Sequence, residues 1–215
     1  MIKIAPSILS ADLLNIHNEI INVEKAGADY IHIDIMDGHY VPNITFGPNI
    51  VKSIRSISKM TLDVHLMIEK VENQIEKFIN AGSDIISFHP EAALDTKGIL
   101  NLIKNNNIKC GIAIHPDIEI KEVMEYINMV DIVIVMTVYP GEGGQAFIKK
   151  QLNKISELYN LKISKKLNFE IEVDGGINEK TSKLCINNGA DVLVAGSYIY
   201  NSNEEDYPKL INSLR

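Results

Sequence analysis

Tyr30-Ile31-His32-Ile33-Asp34-Ile35-Met36 alternates without a break. In an extended chain Ile31, Ile33 and Ile35 share one face, and His32, Asp34 and Met36 share the other. Such a strand packs its isoleucines on helices and turns its polar residues inward. Just before it stands Ala26-Gly27-Ala28-Asp29, a helix stop with Gly as the left-handed cap. The same stop recurs as Ala81-Gly82-Ser83-Asp84 before Ile85-Ile86-Ser87-Phe88, and as Asn188-Gly189-Ala190-Asp191 before Val192-Leu193-Val194-Ala195.

Five further apolar runs have the length and composition of buried parallel strands: Ile2 to Ser7, Met60 to Leu66, Lys109 to Ile114, Val130 to Met136 and Phe169 to Asp174. Helical patterns lie between them. Leu13, Ile16, Ile20 and Val23 fall on one helical face, with Ser10 expected as N-cap, and Ile99, Leu102 and Ile103 form a similar face. Eight β-then-α units in one short chain predict a single (β/α)8 TIM barrel, α/β in class, with residues 1–215 as one domain.

Size and composition agree. The chain has 215 residues, 46 % of them hydrophobic and 23 % charged, enough for a core without staples. The net charge of −7 offers no attraction to nucleic acid or an acidic membrane, so any phosphate site must be built locally. Cys110 and Cys185 read as small apolar filler rather than a disulfide framework. No apolar run is long enough to cross a bilayer, and Met1 to Ala5 reads as a strand rather than a signal peptide. A cytoplasmic protein is expected.

In barrels of this kind the reaction site lies at the C-terminal ends of the strands. Ser7 closes the first run, His32 and Asp34 the second, His65 the third and Asp174 the seventh. A lone inward His or Asp is usually a hydrogen-bonded core residue. Two imidazoles and two carboxylates from three strands at one barrel end point instead to a metal site. The mixed nitrogen and oxygen set suits one divalent ion per subunit, Zn2+ first, with Fe2+, Mn2+ or Co2+ as alternatives. Three Gly-bearing strand ends, Gly141-Glu142-Gly143-Gly144-Gln145, Asp174-Gly175-Gly176 and Ala195-Gly196-Ser197, can cradle a phosphate on backbone N–H groups.

At these residues the chain resembles the ribulose-phosphate 3-epimerase family. The resemblance is carried by Ile4-Ala5-Pro6-Ser7-Ile8-Leu9-Ser10-Ala11-Asp12, His32-Ile33-Asp34-Ile35-Met36-Asp37-Gly38, Asp63-Val64-His65-Leu66-Met67, Phe88-His89-Pro90-Glu91-Ala92, Met136-Thr137-Val138 and Glu172-Val173-Asp174-Gly175-Gly176-Ile177. It runs nearly end to end. It implies that His32, Asp34, His65 and Asp174 are metal ligands, and that Asp34 and Asp174 are also the acid/base pair. Ser7 and His65 match substrate contacts, and Met36, Met67 and Met136 match methionines lining the site. Gly141, Glu142, Gly143, Gly144, Gly175, Gly176, Gly196 and Ser197 fall on the phosphate-binding stretches. Glu142 and Tyr139 depart from the family's usual residues. A carboxylate aimed at phosphate would repel it, so the Glu142 side chain is expected to face solvent. The family's barrels are dimers or hexamers, so a homodimer or homohexamer is implied, with a sugar phosphate as the small-molecule partner.

The implied reaction inverts C3 of D-ribulose 5-phosphate to give D-xylulose 5-phosphate. A barrel acting on a six-carbon ketose phosphate is the nearest rival. Mg2+-dependent decarboxylases and aldolases of similar fold use a different acid–lysine arrangement, and a non-catalytic binder has no need of paired carboxylates. Strand parity adds an expectation of its own. Asp63 and Glu172 should point into the barrel one layer below the site, with Lys3 reaching up to them from strand one. The loop from Gly38 to Gly47 reads as a partial cover or an oligomer contact, and the loop from Tyr139 to Phe147 as a mobile lid.

Overall fold

The computed structural model describes all residues, Met1–Arg215. Eight strands are β1 (Lys3–Pro6), β2 (Tyr30–Met36), β3 (Thr61–Met67), β4 (Ile85–Phe88), β5 (Lys109–Ile114), β6 (Ile132–Met136), β7 (Glu170–Asp174) and β8 (Val192–Ala195). They pair in parallel in the order β1-β8-β7-β6-β5-β4-β3-β2. A parallel bridge between Ser7 and His32 joins β1 to β2, so the sheet returns on itself as a (β/α)8 barrel. Around it lie nine helices: α1 (Ile16–Lys25), α2 (Pro48–Ile57), α3 (Ile75–Ala81), α4 (Thr96–Asn105), α5 (Ile120–Val123), α6 (Leu152–Ser164), α7 (Glu179–Asn187), α8 (Ser197–Tyr200) and α9 (Tyr207–Ser213).

The recurring Gly-x-Asp stop has a two-part explanation. Gly27, Gly82 and Gly189 all take positive φ, which lets the chain leave the helix without a Cβ clash. The Asp then reaches sideways to the neighbouring strand. Asp29 accepts from the Ile4 N–H at 2.8 Å, Asp84 from Leu62 at 2.8 Å and Asp191 from Ile171 at 2.9 Å. Asp131, which has no Gly before it, does the same for Cys110 at 3.0 Å. Each even-numbered strand is thus preceded by a carboxylate that satisfies a backbone donor on the odd-numbered strand before it.

The isoleucines of β2 are buried against the helical shell, in one core with Ile20, Val23, Val51 and Ile54 from α1 and α2. Two local expectations are corrected. Ser10 is not the N-cap of α1. It ends a 3-10 turn over Ile8–Ser10, and α1 begins at Ile16 after Asn15, leaving Leu13 exposed. Ser10 is drawn to the barrel mouth, where a Cβ on Gly196 would come within 2.6 Å of its Oγ. Lys3 does not rise to Asp63 and Glu172. Its Nζ bonds the Tyr30 hydroxyl at 2.5 Å and pairs with Glu170 near the barrel floor.

Candidate active site

Parity places His32, Asp34 and Met36 of β2 inside the barrel, in register with Asp63, His65 and Met67 of β3. Met136 is in register with Asp174 across β6 and β7. At the strands' C-terminal ends these side chains meet. Asp34 Oδ1 lies 3.3 Å from His32 Nε2 and 3.2 Å from His65 Nδ1. Asp174 Oδ2 lies 3.9 Å from His32 Nε2 and 3.7 Å from His65 Nδ1. Ser7 donates its hydroxyl to Asp34 Oδ2 at 2.6 Å.

This set fits a metal ion. One ligand atom from each of His32, Asp34, His65 and Asp174 lies within 4.8 Å of the others. His32 Nε2 is buried and has no hydrogen-bond partner, which a lone pair kept for an ion explains and a packed core residue does not. The donor set of two imidazole nitrogens and two carboxylates is that of a borderline transition ion. The cluster could therefore hold one divalent ion.

Beneath it is a second, fully buried pair. Asp63 Oδ2 lies 2.6 Å and Glu172 Oε1 3.2 Å from His32 Nδ1. Both carboxylates point inward one layer below the mouth, as strand parity predicts, and their anchor is the imidazole rather than Lys3. Burial, reinforced by the charge of Asp63, holds the Glu172 carboxyl well above the usual range.

The two mouth carboxyls are shifted in opposite directions. Burial works to raise the Asp34 pKa, but the close contacts with the His32 and His65 imidazoles outweigh it and hold that carboxyl far below its ordinary value. Asp174 is raised to about 6, first by burial and then by the charge of Asp34. Neighbouring groups have separated two chemically identical carboxyls.

Asp34 and Asp174 open onto a cavity of about 340 Å³, and His32 and His65 lie wholly buried beneath it. Its walls include Ser7, Met36, Met67, Met136, Gly141, Glu142, Gly143, Gly144, Gly175, Gly176, Gly196 and Ser197, all singled out in the sequence. The backbone N–H groups of Gly143, Gly144 and Gly176 donate no hydrogen bond within the chain. Gly176 has φ +66°, and a Cβ there would come within 2.8 Å of the Phe147 backbone nitrogen. Glu142 is exposed, while Gln145 Nε2 donates to the carbonyls of Tyr139 and Glu142 at 2.6 and 2.9 Å and braces the loop. Tyr139 also borders the cavity, and its hydroxyl donates to Asp117 at 3.2 Å.

Three neighbours stand in the matching stretches but received no role from the sequence. Thr137, fully buried, donates its hydroxyl to the carbonyls of Asp174 and Gly175 at 2.9 and 2.6 Å and so sets the turn after β7. His89, also fully buried, lies with Nε2 3.0 Å from His65 Nε2. Burial pushes its pKa down to about 4, so the ring is neutral. Glu91 stands 3.4 Å beyond it. The parity of Ile85, Ser87 and His89 along β4 could have placed His89 inside the barrel.

Fold and site define an α/β barrel with a metal-capable His/Asp cluster at its strand ends, beside a cavity lined by free backbone amides. The model of the Ribulose-phosphate 3 epimerase family matches residues 3–200. The chain belongs to that family, and with it to the isomerases acting on carbohydrates. It is 47 % identical to the ribulose-phosphate 3-epimerase of Bacillus subtilis, covering 100 % of this chain and 99 % of the relative. It is 39 % identical to that of Escherichia coli, covering 99 % and 94 %. Among solved structures, KGPDC from Streptococcus mutans superposes with a TM-score of 0.75 over 100 % of this chain and 95 % of that one. At 14 % identity that likeness concerns the fold alone.

Proposed function

We propose that the chain inverts C3 of D-ribulose 5-phosphate to give D-xylulose 5-phosphate, the epimerisation of the pentose phosphate pathway, with Asp34 and Asp174 as the two proton carriers. The observation that carries the reading is their placement: two carboxylates at the mouth ends of β2 and β7, both facing one cavity, with pKa values pushed in opposite directions.

The reaction removes the hydrogen beside the C2 ketone and returns one to the opposite face of C3. One carboxylate takes the proton, the other carboxyl gives one, and the roles exchange in the reverse direction. A divalent ion held by His32, Asp34, His65 and Asp174, Zn2+ first among the candidates, would supply Lewis-acid stabilisation of the charge that develops on the substrate's oxygens. Ser7 fixes the Asp34 carboxylate through its 2.6 Å hydrogen bond. Met36, Met67 and Met136 wall the reacting carbon from water. The amides of Gly143, Gly144 and Gly176, with the Ser197 hydroxyl, receive the phosphate at the other end of the cavity. No Lys or Arg lines it, so the backbone carries that role. We place the working enzyme in the cytoplasm as a homodimer or homohexamer of one-domain subunits, which sedimentation at micromolar concentration checks.

The direct test supplies zinc-replete protein with D-ribulose 5-phosphate and measures D-xylulose 5-phosphate by a coupled assay. Turnover of a six-carbon ketose phosphate in preference to the pentose would replace the substrate. No turnover of either would end the reading.

A further inference from the structure

His65 presents Nδ1 to the mouth, 3.2 Å from Asp34 Oδ1 and 3.7 Å from Asp174 Oδ2. An imidazole nitrogen that offers its lone pair to an ion carries no hydrogen, so the hydrogen of a neutral His65 must then sit on Nε2. That nitrogen is buried, and its partner is His89 Nε2 at 3.0 Å. Of two imidazole nitrogens in contact, one donates and the other accepts. A His65 Nε2–H therefore needs a His89 whose Nε2 is bare and whose own hydrogen is on Nδ1.

The surroundings of His89 favour that form. Its Nδ1 is buried and makes no hydrogen bond, and Glu91 Oε1 lies 3.4 Å from it, so a hydrogen on Nδ1 would sit beside a carboxylate. Glu91 Oε1 is held in turn by the Tyr40 hydroxyl, which donates to it at 2.8 Å, and the Tyr40 ring covers the His89 imidazole with centroids 4.8 Å apart. The opposite arrangement is also hydrogen-bonded. There His89 Nε2–H donates to His65 Nε2, and His65 Nδ1–H donates to Asp34, which closes Nδ1 to an ion. The two arrangements differ only in where two hydrogens sit, and a carboxylate facing His89 Nδ1 selects the first.

We propose that His89, backed by Glu91, is a positioning residue that sets the tautomer of His65 and so leaves Nδ1 free for a metal ion. It does not line the substrate cavity and acts only through His65. The inference rests on the metal reading above and adds to it the group that makes one of the four ligands competent.

The test uses protein labelled with 15N-histidine and loaded with zinc. Long-range 15N–1H spectra report which ring nitrogen carries hydrogen, and competition with a chromophoric chelator reports zinc affinity. In the unsubstituted protein His65 Nε2 should be protonated and His89 Nε2 bare. His89→Phe keeps a ring of similar size but removes the acceptor, and should lose about 10–100-fold in zinc affinity, the usual weight of a group that orients a ligand. His89→Gln, whose carbonyl can accept from His65 Nε2–H, should recover most of it. A hydrogen found on His89 Nε2 in the zinc-loaded parent would overturn the inference, and that measurement needs no variant to fold. So would a folded His89→Phe protein with parental affinity. A parent that takes up no divalent ion would bring down the metal reading and this inference together, which tells the two failures apart.

Discussion

His32 Nδ1 lies 2.6 Å from Asp63 Oδ2, one strand over and one layer below the barrel mouth. The contact fixes the imidazole from beneath and turns Nε2, which has no partner of its own, toward Asp34 and Asp174. A carboxylate behind a histidine sets its tautomer and raises its basicity as a ligand. Asp63→Ala should therefore weaken zinc binding by about 10–100-fold. Asp63→Asn, which keeps an acceptor oxygen, should weaken it less. Chelator competition measures both, and parental affinity in the alanine variant would remove Asp63 from the site's support.

The two proposed proton carriers are best probed with asparagine, which can still offer an oxygen to an ion but cannot carry the proton. Asp34→Asn and Asp174→Asn should each lose about 10²-fold or more in kcat. In deuterated water the parent should yield product labelled at C3, since two carboxyls open to the cavity exchange with solvent. Quantitative retention of the substrate's own C3 hydrogen would mean a single group shuttling it, and the two-carboxylate assignment would be abandoned.

The end of the cavity proposed to take the phosphate is built from backbone. Gly176→Ala places a Cβ within 2.8 Å of the Phe147 nitrogen at a φ of +66°. It should raise KM for the sugar phosphate more than it lowers kcat. Glu142→Gln should leave KM near the parental value because that side chain is exposed. Amides of residues 141–145 should exchange more slowly with a sugar phosphate bound. Equal exchange with and without it would count against the phosphate assignment of this loop.

Asp84 gives a prediction on stability alone. It accepts from the fully buried Leu62 N–H at 2.8 Å and also faces Arg55. The surface ion pair contributes little. The orphaned donor matters more, so Asp84→Ala should cost about 1–3 kcal/mol. Urea unfolding reads this as a lower midpoint with an unchanged slope. No loss would show that the Leu62 N–H finds another partner.

Much of this was legible along the chain. Period-two alternation in β2 told which side chains face inward, because it depends only on the pleat of the strand. The Gly-x-Asp stops marked the helix-to-strand joints, and their glycines do take positive φ. The conformation of one residue and the fate of one side chain are local matters. The entry to α1 was read wrongly although it too is local. Ser10 has the chemistry of a cap, but the chain turns through Ile8–Ser10 and places it beside the distant glycines of the mouth.

The levels of side chains across the barrel were decided by closure. Lys3 is in register with Val192, and Val192 with Glu172. On a flat sheet Lys3 and Glu172 would be level. In a barrel of shear 8 each strand steps by about one residue against the horizontal, so two strands step by about two. Lys3 accordingly meets Glu170 rather than Glu172. The same closure brings His89, just past the end of β4, against His65 from β3 and aims two imidazoles and two carboxylates at one point. The sequence by itself determined which residues turn inward and which end of the barrel carries the His/Asp cluster, since both follow from strand parity and chain direction. Only the tertiary structure decided which atoms meet there, because tilt and shear belong to all eight strands together.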